Sequence, residues 1–196
     1  MSAPRRVAVY CGSNAGVRPA YAAAARRLGA LLGARGIGLV YGGGKVGLMG
    51  VLADAALEAG ASVIGVIPES LVARELAHQR LTELRVVATM HERKALMAEL
   101  ADAFVALPGG LGTLDELFEV WTWAQLGLHE RPIGLLDVEG FFGPLVAHLD
   151  RAVAEGFVRP QHRAMVVIDS EPEPLLDRFD GCAPPRVGKW LDRSTL

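Results

Sequence analysis

The residues able to do chemistry gather in three short stretches: GGGKVGLMG at 42–50, MHERK at 90–94 and PGGLGTLDE at 108–116. In the last, glycines let the backbone take positive φ and approach a ligand closely. The helix that must follow opens with N–H groups lacking intrahelical partners and with partial positive charge, so a phosphate is a natural occupant. Thr113 can cap that helix or bind the anion. Glu116, three residues on, can hold sugar hydroxyls or activate water. The bland alternative is a tight strand-to-helix turn in which Thr113 and Glu116 form a T-x-x-E capping box and nothing is bound. In the middle stretch His91, Glu92, Arg93 and Lys94 crowd charge into one helix turn, either as a solvated face or as part of a site. A zinc-protease H-E-x-x-H reading fails there, because Ala95 takes the place of the second histidine.

GGGKVG at 42–47 satisfies G-x-G-x-x-G after a strand and before a helix, the context of a dinucleotide fingerprint. Glu69, at the end of the next strand, is then the candidate acid for a ribose hydroxyl. NAD or NADP binding stays open on this signal. The same glycines also suit a mononucleotide or close packing.

Positioning these stretches requires elements. Apolar, β-type runs occur at 7–11, 36–42, 62–68, 83–89, 103–109, 132–137 and 164–169, and amphipathic stretches lie near 19–34, 46–59, 91–101, 113–126 and 141–155. Alternation of this kind predicts an α/β, doubly wound, Rossmann-like, mostly parallel sheet with helices on both faces. Ligands bind such sheets beyond the carboxyl ends of the strands. Three glycine-rich exits, CGSNAG after the first strand, GGGKVGLMG after the second and PGGLGT after the fifth, are therefore expected to converge on one crevice.

With 196 residues, the chain can build one substantial core, read here as a single nucleotide-binding domain over 1–180 followed by a C-terminal tail at 181–196. A net charge of −2 argues against general attraction to nucleic acid or membrane and favours a small-molecule ligand. Cys11 and Cys182 are the only cysteines, with no C-x-x-C or Cys/His cluster, which fits a reducing cytoplasm and suggests no metal. The first residues lack the apolar region of a secretory signal, and no segment approaches the roughly 20 apolar residues of a membrane helix.

Taken together, MHERK, PGGLGTLDE, GGGKVGLMG and the downstream TWAQLGLHERPIGLLDVEGFF resemble the LOG family of cytokinin-activating nucleoside 5′-monophosphate phosphoribohydrolases, over nearly all of 7–180. Members of that family have often been labelled lysine decarboxylases, yet neither motif supplies a pyridoxal-phosphate constellation. The resemblance implies hydrolysis of the N-glycosidic bond between a purine base and ribose 5′-monophosphate, with no cofactor and no metal. It implies Arg93 and Glu116 as the catalytic pair. Gly110, Gly112 and Thr113 would receive the phosphate and Lys94 would help hold the nucleotide, with Glu75, Met90, Gly109, Leu111, Leu114, Asp115 and Thr122 completing the substrate surroundings. Leu111 and Asp115 stand where the family commonly has an aromatic residue and a glutamate. A homodimer with active sites near its interface is implied as well, and Trp121, Trp123, Leu126 and Leu128 offer apolar surface for it, although packing in the chain's own core competes as an explanation. Two readings of other classes remain: an NAD(P)-dependent oxidoreductase and a nucleotide-binding module without turnover.

Overall fold

The computed structural model describes residues 5–72 and 77–179. Seven strands, β1 (Arg6–Tyr10), β2 (Gly38–Tyr41), β3 (Val63–Pro68), β4 (Glu83–Val87), β5 (Ala103–Ala106), β6 (Ile133–Leu136) and β7 (Val166–Asp169), form one parallel sheet in the order β4-β3-β2-β1-β5-β6-β7. Every apolar run read from the sequence became one of them. The long helices α1 (Pro19–Ala34), α2 (Gly47–Glu58), α4 (Met90–Leu100), α5 (Leu111–Gln125) and α6 (Gly143–Ala154) match the five expected. Three short helices, α3 (Glu69–Val72), α7 (Pro160–Arg163) and α8 (Pro172–Asp177), were not foreseen, since each spans too few residues to show a helical period. The expected tail at 181–196 lies outside the described residues.

Side-chain alternation along the strands divides the core between the two faces of the sheet. Val7, Val9 and Cys11 of the first strand run pack with Leu28 and Leu32 of α1, Leu48 and Leu52 of α2, and Leu175 of α8. Ala8 and Tyr10 pack on the other face with Met97 of α4, Leu117 and Val120 of α5, and Leu149 of α6. Strands β2, β3, β5 and β6 are buried throughout, as continuous apolar runs demand. The edge strand β4 is largely exposed, with Leu84 and Val86 facing outward.

The sheet reverses its winding between β1 and β5, which pair from Val7↔Ala103 to Tyr10↔Ala106. Chains leaving these two strands diverge into helices on opposite faces and open a crevice at their carboxyl ends. Backbone hydrogen bonds tie the three glycine-rich exits together there: the Gly12 N–H donates to the Pro108 carbonyl at 3.1 Å, and the Leu48 N–H donates to the Gly12 carbonyl at 3.0 Å.

Candidate active site

A cavity of about 360 Å³ occupies this crevice. One wall is the start of α5. Its N-cap is Gly110, in extended conformation, and Leu114 is the first N–H of the turn with a helical partner, the Gly110 carbonyl at 3.2 Å. The N–H groups of Leu111, Gly112 and Thr113 are thus available at the positive end of a 15-residue helix. The helix begins two residues earlier than its periodicity suggests. Gly112 reads as a turn residue by propensity, but in a first turn it costs little because few helical hydrogen bonds are made there. Thr113 therefore lies inside the helix rather than capping it, and the T-x-x-E box of the bland alternative is not formed; Glu116 belongs to the second turn. Thr113 is buried against Gly109, where a Cβ would overlap the threonine hydroxyl.

A relative of that box occurs at α4, where the N-cap is Thr89 and the return bond goes to the residue before it. Thr89 Oγ1 accepts from the Glu92 N–H at 3.1 Å, while a Glu92 carboxylate oxygen accepts from the Ala88 N–H at 2.9 Å. This arrangement splits the charged run MHERK in two. His91 and Glu92 are exposed, whereas Arg93 and Lys94 are buried. Met90 is exposed at the cavity, while Met97 takes a core position.

Arg93 is held by the ends of two strands. Its Nε donates to the Val66 carbonyl at 3.1 Å and a terminal nitrogen donates to the Gly42 carbonyl at 3.3 Å. The same nitrogen stands 3.7 Å from Glu116 Oε1, and both side chains are under a tenth exposed. Any side chain at 42 would displace the Arg93 guanidinium from this pose, because a Cβ there would overlap it. The first glycine of the G-x-G-x-x-G pattern thus makes room for an arginine. A buried ion pair of this kind is a strong local field, ready to act on charge that develops beside it.

Among the sequence-derived positions, Met90, Arg93, Gly109, Gly110, Leu111, Gly112, Thr113, Asp115 and Glu116 line the cavity. Lys94, Leu114 and Thr122 are not part of its lining: Lys94 pairs with acids on α5, Leu114 packs toward the core and Thr122 is exposed on the outer side of α5. Glu75 lies outside the described residues. Ser13, Asn14, Tyr21 and Phe141 also line the cavity and were given no role from the sequence. Ser13 and Asn14 were legible as part of a glycine-rich exit. Tyr21 is hidden in an alanine-rich helix and Phe141 in a loop after β6; their rings meet edge-on at 5.7 Å.

Burial, and then the Glu116 charge, push the Cys11 thiol far above its ordinary range, so it is an inert wall rather than a nucleophile. Burial also lowers the affinity of Lys94 for its proton, but hydrogen bonds to Asp115 and Glu119 outweigh it and the ammonium is held charged. Among the described residues, no group of three or more His, Cys, Asp or Glu side chains is placed to hold a metal ion. No helix among them is long and apolar enough to cross a membrane.

Residues 49–179 match the family model described as "possible lysine decarboxylase". The chain is 54% identical to the cytokinin riboside 5′-monophosphate phosphoribohydrolase LOG of Oryza sativa subsp. japonica over 163 residues, covering 83% of this chain and 67% of the relative. It is 48% identical to an Arabidopsis thaliana cytokinin riboside 5′-monophosphate phosphoribohydrolase over 180 residues, 92% of this chain and 84% of the relative. Among solved structures, the molybdenum cofactor binding protein of Rippkaea orientalis superposes with a TM-score of 0.68 at 23% identity, covering 90% of this chain and 95% of that one. The molybdenum cofactor carrier protein of Chlamydomonas reinhardtii gives 0.69 at 19%, covering 90% and 96%. These two likenesses speak to the fold alone.

Proposed function

The chain belongs to the LOG family of cytokinin riboside 5′-monophosphate phosphoribohydrolases, and on that premise we propose that it hydrolyses the N-glycosidic bond of a purine nucleoside 5′-monophosphate of the N6-modified adenine type, releasing free base and ribose 5-phosphate. The observation that carries this reading is the buried Arg93–Glu116 pair, 3.7 Å apart, in a cavity rimmed by the N-terminus of α5.

The phosphate sits on the N–H groups of Leu111, Gly112 and Thr113, with Gly109 and Gly110 allowing close approach. Anchoring the remote phosphate holds C1′ of the ribose near Glu116. As the C1′–N bond breaks, its electron pair stays with the base and positive character grows on the sugar. The Glu116 carboxylate stabilises that charge and orients the sugar hydroxyls or the attacking water. The water oxygen bonds to C1′ and a proton passes to the departing base. Arg93, fixed by the Val66 and Gly42 carbonyls, faces the Glu116 carboxylate and keeps it aimed.

The decarboxylase label does not fit the site. A pyridoxal-phosphate enzyme needs a lysine amine at the cofactor for its Schiff base. Among the described residues lining the cavity there is none, and Lys94 is engaged by Asp115 and Glu119.

The assembly proposed is a homodimer with its active sites close to the two-fold interface. Trp121 does not serve it: the ring is buried and its indole N–H donates to the His162 carbonyl at 2.8 Å. Trp123 is partly buried. Support comes from Phe118, Leu126 and Leu128, which stay exposed in and after α5, the first two flanking Thr122 on the outer stripe of that helix. Cysteine usage suits a cytoplasmic location.

The test is incubation with AMP, N6-modified AMP, and the matching nucleosides and triphosphates, scoring free base and ribose 5-phosphate. Turnover confined to monophosphates is expected, because a nucleoside lacks the anchor and a triphosphate brings charge the site must accommodate. Bound nucleotide without released base would leave a binding module, and hydride transfer with NAD(P) would establish an oxidoreductase; either result defeats the proposal.

A further inference from the structure

Arg93 and Lys94 are consecutive on α4, and both reach acids on α5. Arg93 meets Glu116 at 3.7 Å; Lys94 Nζ meets Asp115 Oδ2 at 3.0 Å and Glu119 Oε2 at 3.2 Å. Asp115 and Glu119 are four residues apart, so they stand one above the other on a single side of α5, with Glu116 about a quarter turn round the helix from Asp115. The Lys94 side chain is only 10% exposed, lines no part of the cavity, donates a hydrogen bond to Asp115 and stands at ion-pair distance from Glu119. An ammonium held between acids about one helical turn apart constrains both the rotation and the axial register of that helix relative to α4.

From this geometry we propose that Lys94 is a positioning residue rather than a ligand of the substrate phosphate: by clamping Asp115 and Glu119 it sets the rotation of α5 at which the Glu116 carboxylate faces Arg93. Arg93 itself is anchored to β2 and β3 through the Gly42 and Val66 carbonyls, so it supplies a fixed reference. Glu116 depends on how its helix is turned, and the clamp begins one residue before it. The ammonium also offsets two carboxylates beside the phosphate-receiving end of α5. This assignment rests on the reading of Arg93 and Glu116 as the reacting pair.

Lys94→Met, Glu119→Gln and the double variant are compared with the parent in steady-state hydrolysis of AMP, with ribose 5-phosphate as competitive inhibitor and thermal unfolding as a control for folding. A clamp predicts that Glu119→Gln, though Glu119 lines no part of the cavity, lowers kcat by about tenfold with KM changed less than about threefold. It also predicts that adding Lys94→Met to Glu119→Gln costs much less than Lys94→Met does alone, since both changes break one unit. Lys94→Arg, which can bridge two carboxylates, should restore most of kcat. If Lys94 were a phosphate ligand, Lys94→Met would raise KM and weaken ribose 5-phosphate inhibition by about tenfold or more at near-constant kcat, and Glu119→Gln would leave kcat intact by freeing the ammonium. Either result overturns the proposal, as does unchanged kcat in a folded Glu119→Gln protein. Failure of the functional reading itself shows separately, as absence of base release by the parent enzyme.

Discussion

Arg93 and Glu116 lie 3.7 Å apart, yet the arginine's hydrogen bonds go to the main-chain carbonyls of Gly42 and Val66 and to the Met90 sulfur. The cation is oriented by the sheet, and the carboxylate is left facing it at ion-pair rather than hydrogen-bond distance. Such an arrangement sets a fixed positive charge beside the carboxylate proposed to meet the sugar.

Glu116→Gln should fold normally and still bind the nucleotide, while hydrolysis falls by roughly a hundredfold or more, the scale of removing one preorganised electrostatic partner. The amide matches the carboxylate in size but not in charge. Base release measured at saturating AMP decides the matter, and a folded variant with parental turnover removes Glu116 from the chemistry.

Gly42→Ala should cripple activity although glycine carries no reacting group. The added methyl overlaps the Arg93 guanidinium and must displace it. Arg93→Lys should be impaired in the same assay, since one ammonium cannot reach Val66, Gly42 and Glu116 together. Full kcat in Gly42→Ala would show that the observed arginine pose is not the working one.

Gly112→Ala tests the anion site separately, because among the described residues nothing beyond its chain neighbours and its own helix backbone lies within 4 Å of a Cβ placed there. Thermal stability should be nearly unchanged. Affinity for the 5′-monophosphate should drop about tenfold if a phosphate approaches that backbone closely. Unaltered KM and inhibition by ribose 5-phosphate would place the phosphate elsewhere.

The fold should lose stability in mild acid through His129. Its Nε2 lies 2.8 Å from the Val120 carbonyl and its Nδ1 receives the Arg131 N–H at 3.2 Å, which defines a neutral ring with the proton on Nε2. Burial, chiefly, lowers its pKa below 6.5, aided by Arg131 and opposed by the Val120 carbonyl. On acidification the unfolded chain takes up this proton first, so the contribution is intact above about pH 6.5 and declines as pH falls toward the lowered folded value. Urea midpoints at pH 7.5 and 5.5 should converge in His129→Gln relative to the parent; an identical pH slope in both proteins contradicts this role.

Dilution should show whether the outer stripe of α5 is an interface. A dimer by light scattering at low micromolar concentration, with activity falling in step with dissociation, is the expected result. Phe118→Glu should shift the equilibrium toward monomer, since a buried unpaired carboxylate at an interface costs several kcal/mol. A fully active monomer at all concentrations rules the interface out.

The fold was legible because fully covered strands must be apolar along their whole length and the crossovers must be amphipathic. The crevice followed from chain topology: three glycine-rich exits can meet only at the carboxyl edge of such a sheet. Local propensity failed where tertiary demands took over. Glycine propensity hid the true start of α5, and the capping role open to Thr113 falls instead to Thr89, ahead of α4. A charge run such as HERK cannot reveal which members turn inward, since that depends on acids two elements away. The aromatic wall of Tyr21 and Phe141 joins residues 120 positions apart (141 − 21), beyond any local signal.

The register Val7↔Ala103 closes a loop of 96 residues (103 − 7) before the crevice can exist. Strands β1 to β4 can accrete one neighbour at a time, each crossover laying its strand beside the last, but α4 must then carry the chain back past β3 and β2 to reach the free side of β1. Such non-local closure comes at a high entropic cost and is slow to find. A half-built sheet would therefore hold the first two glycine-rich exits and Arg93's carbonyl anchors while lacking Glu116 altogether. Catalytic competence in this sense depends on one non-local pairing, that of β1 with β5, which brings Glu116 to the glycine-rich exits of the first two strands.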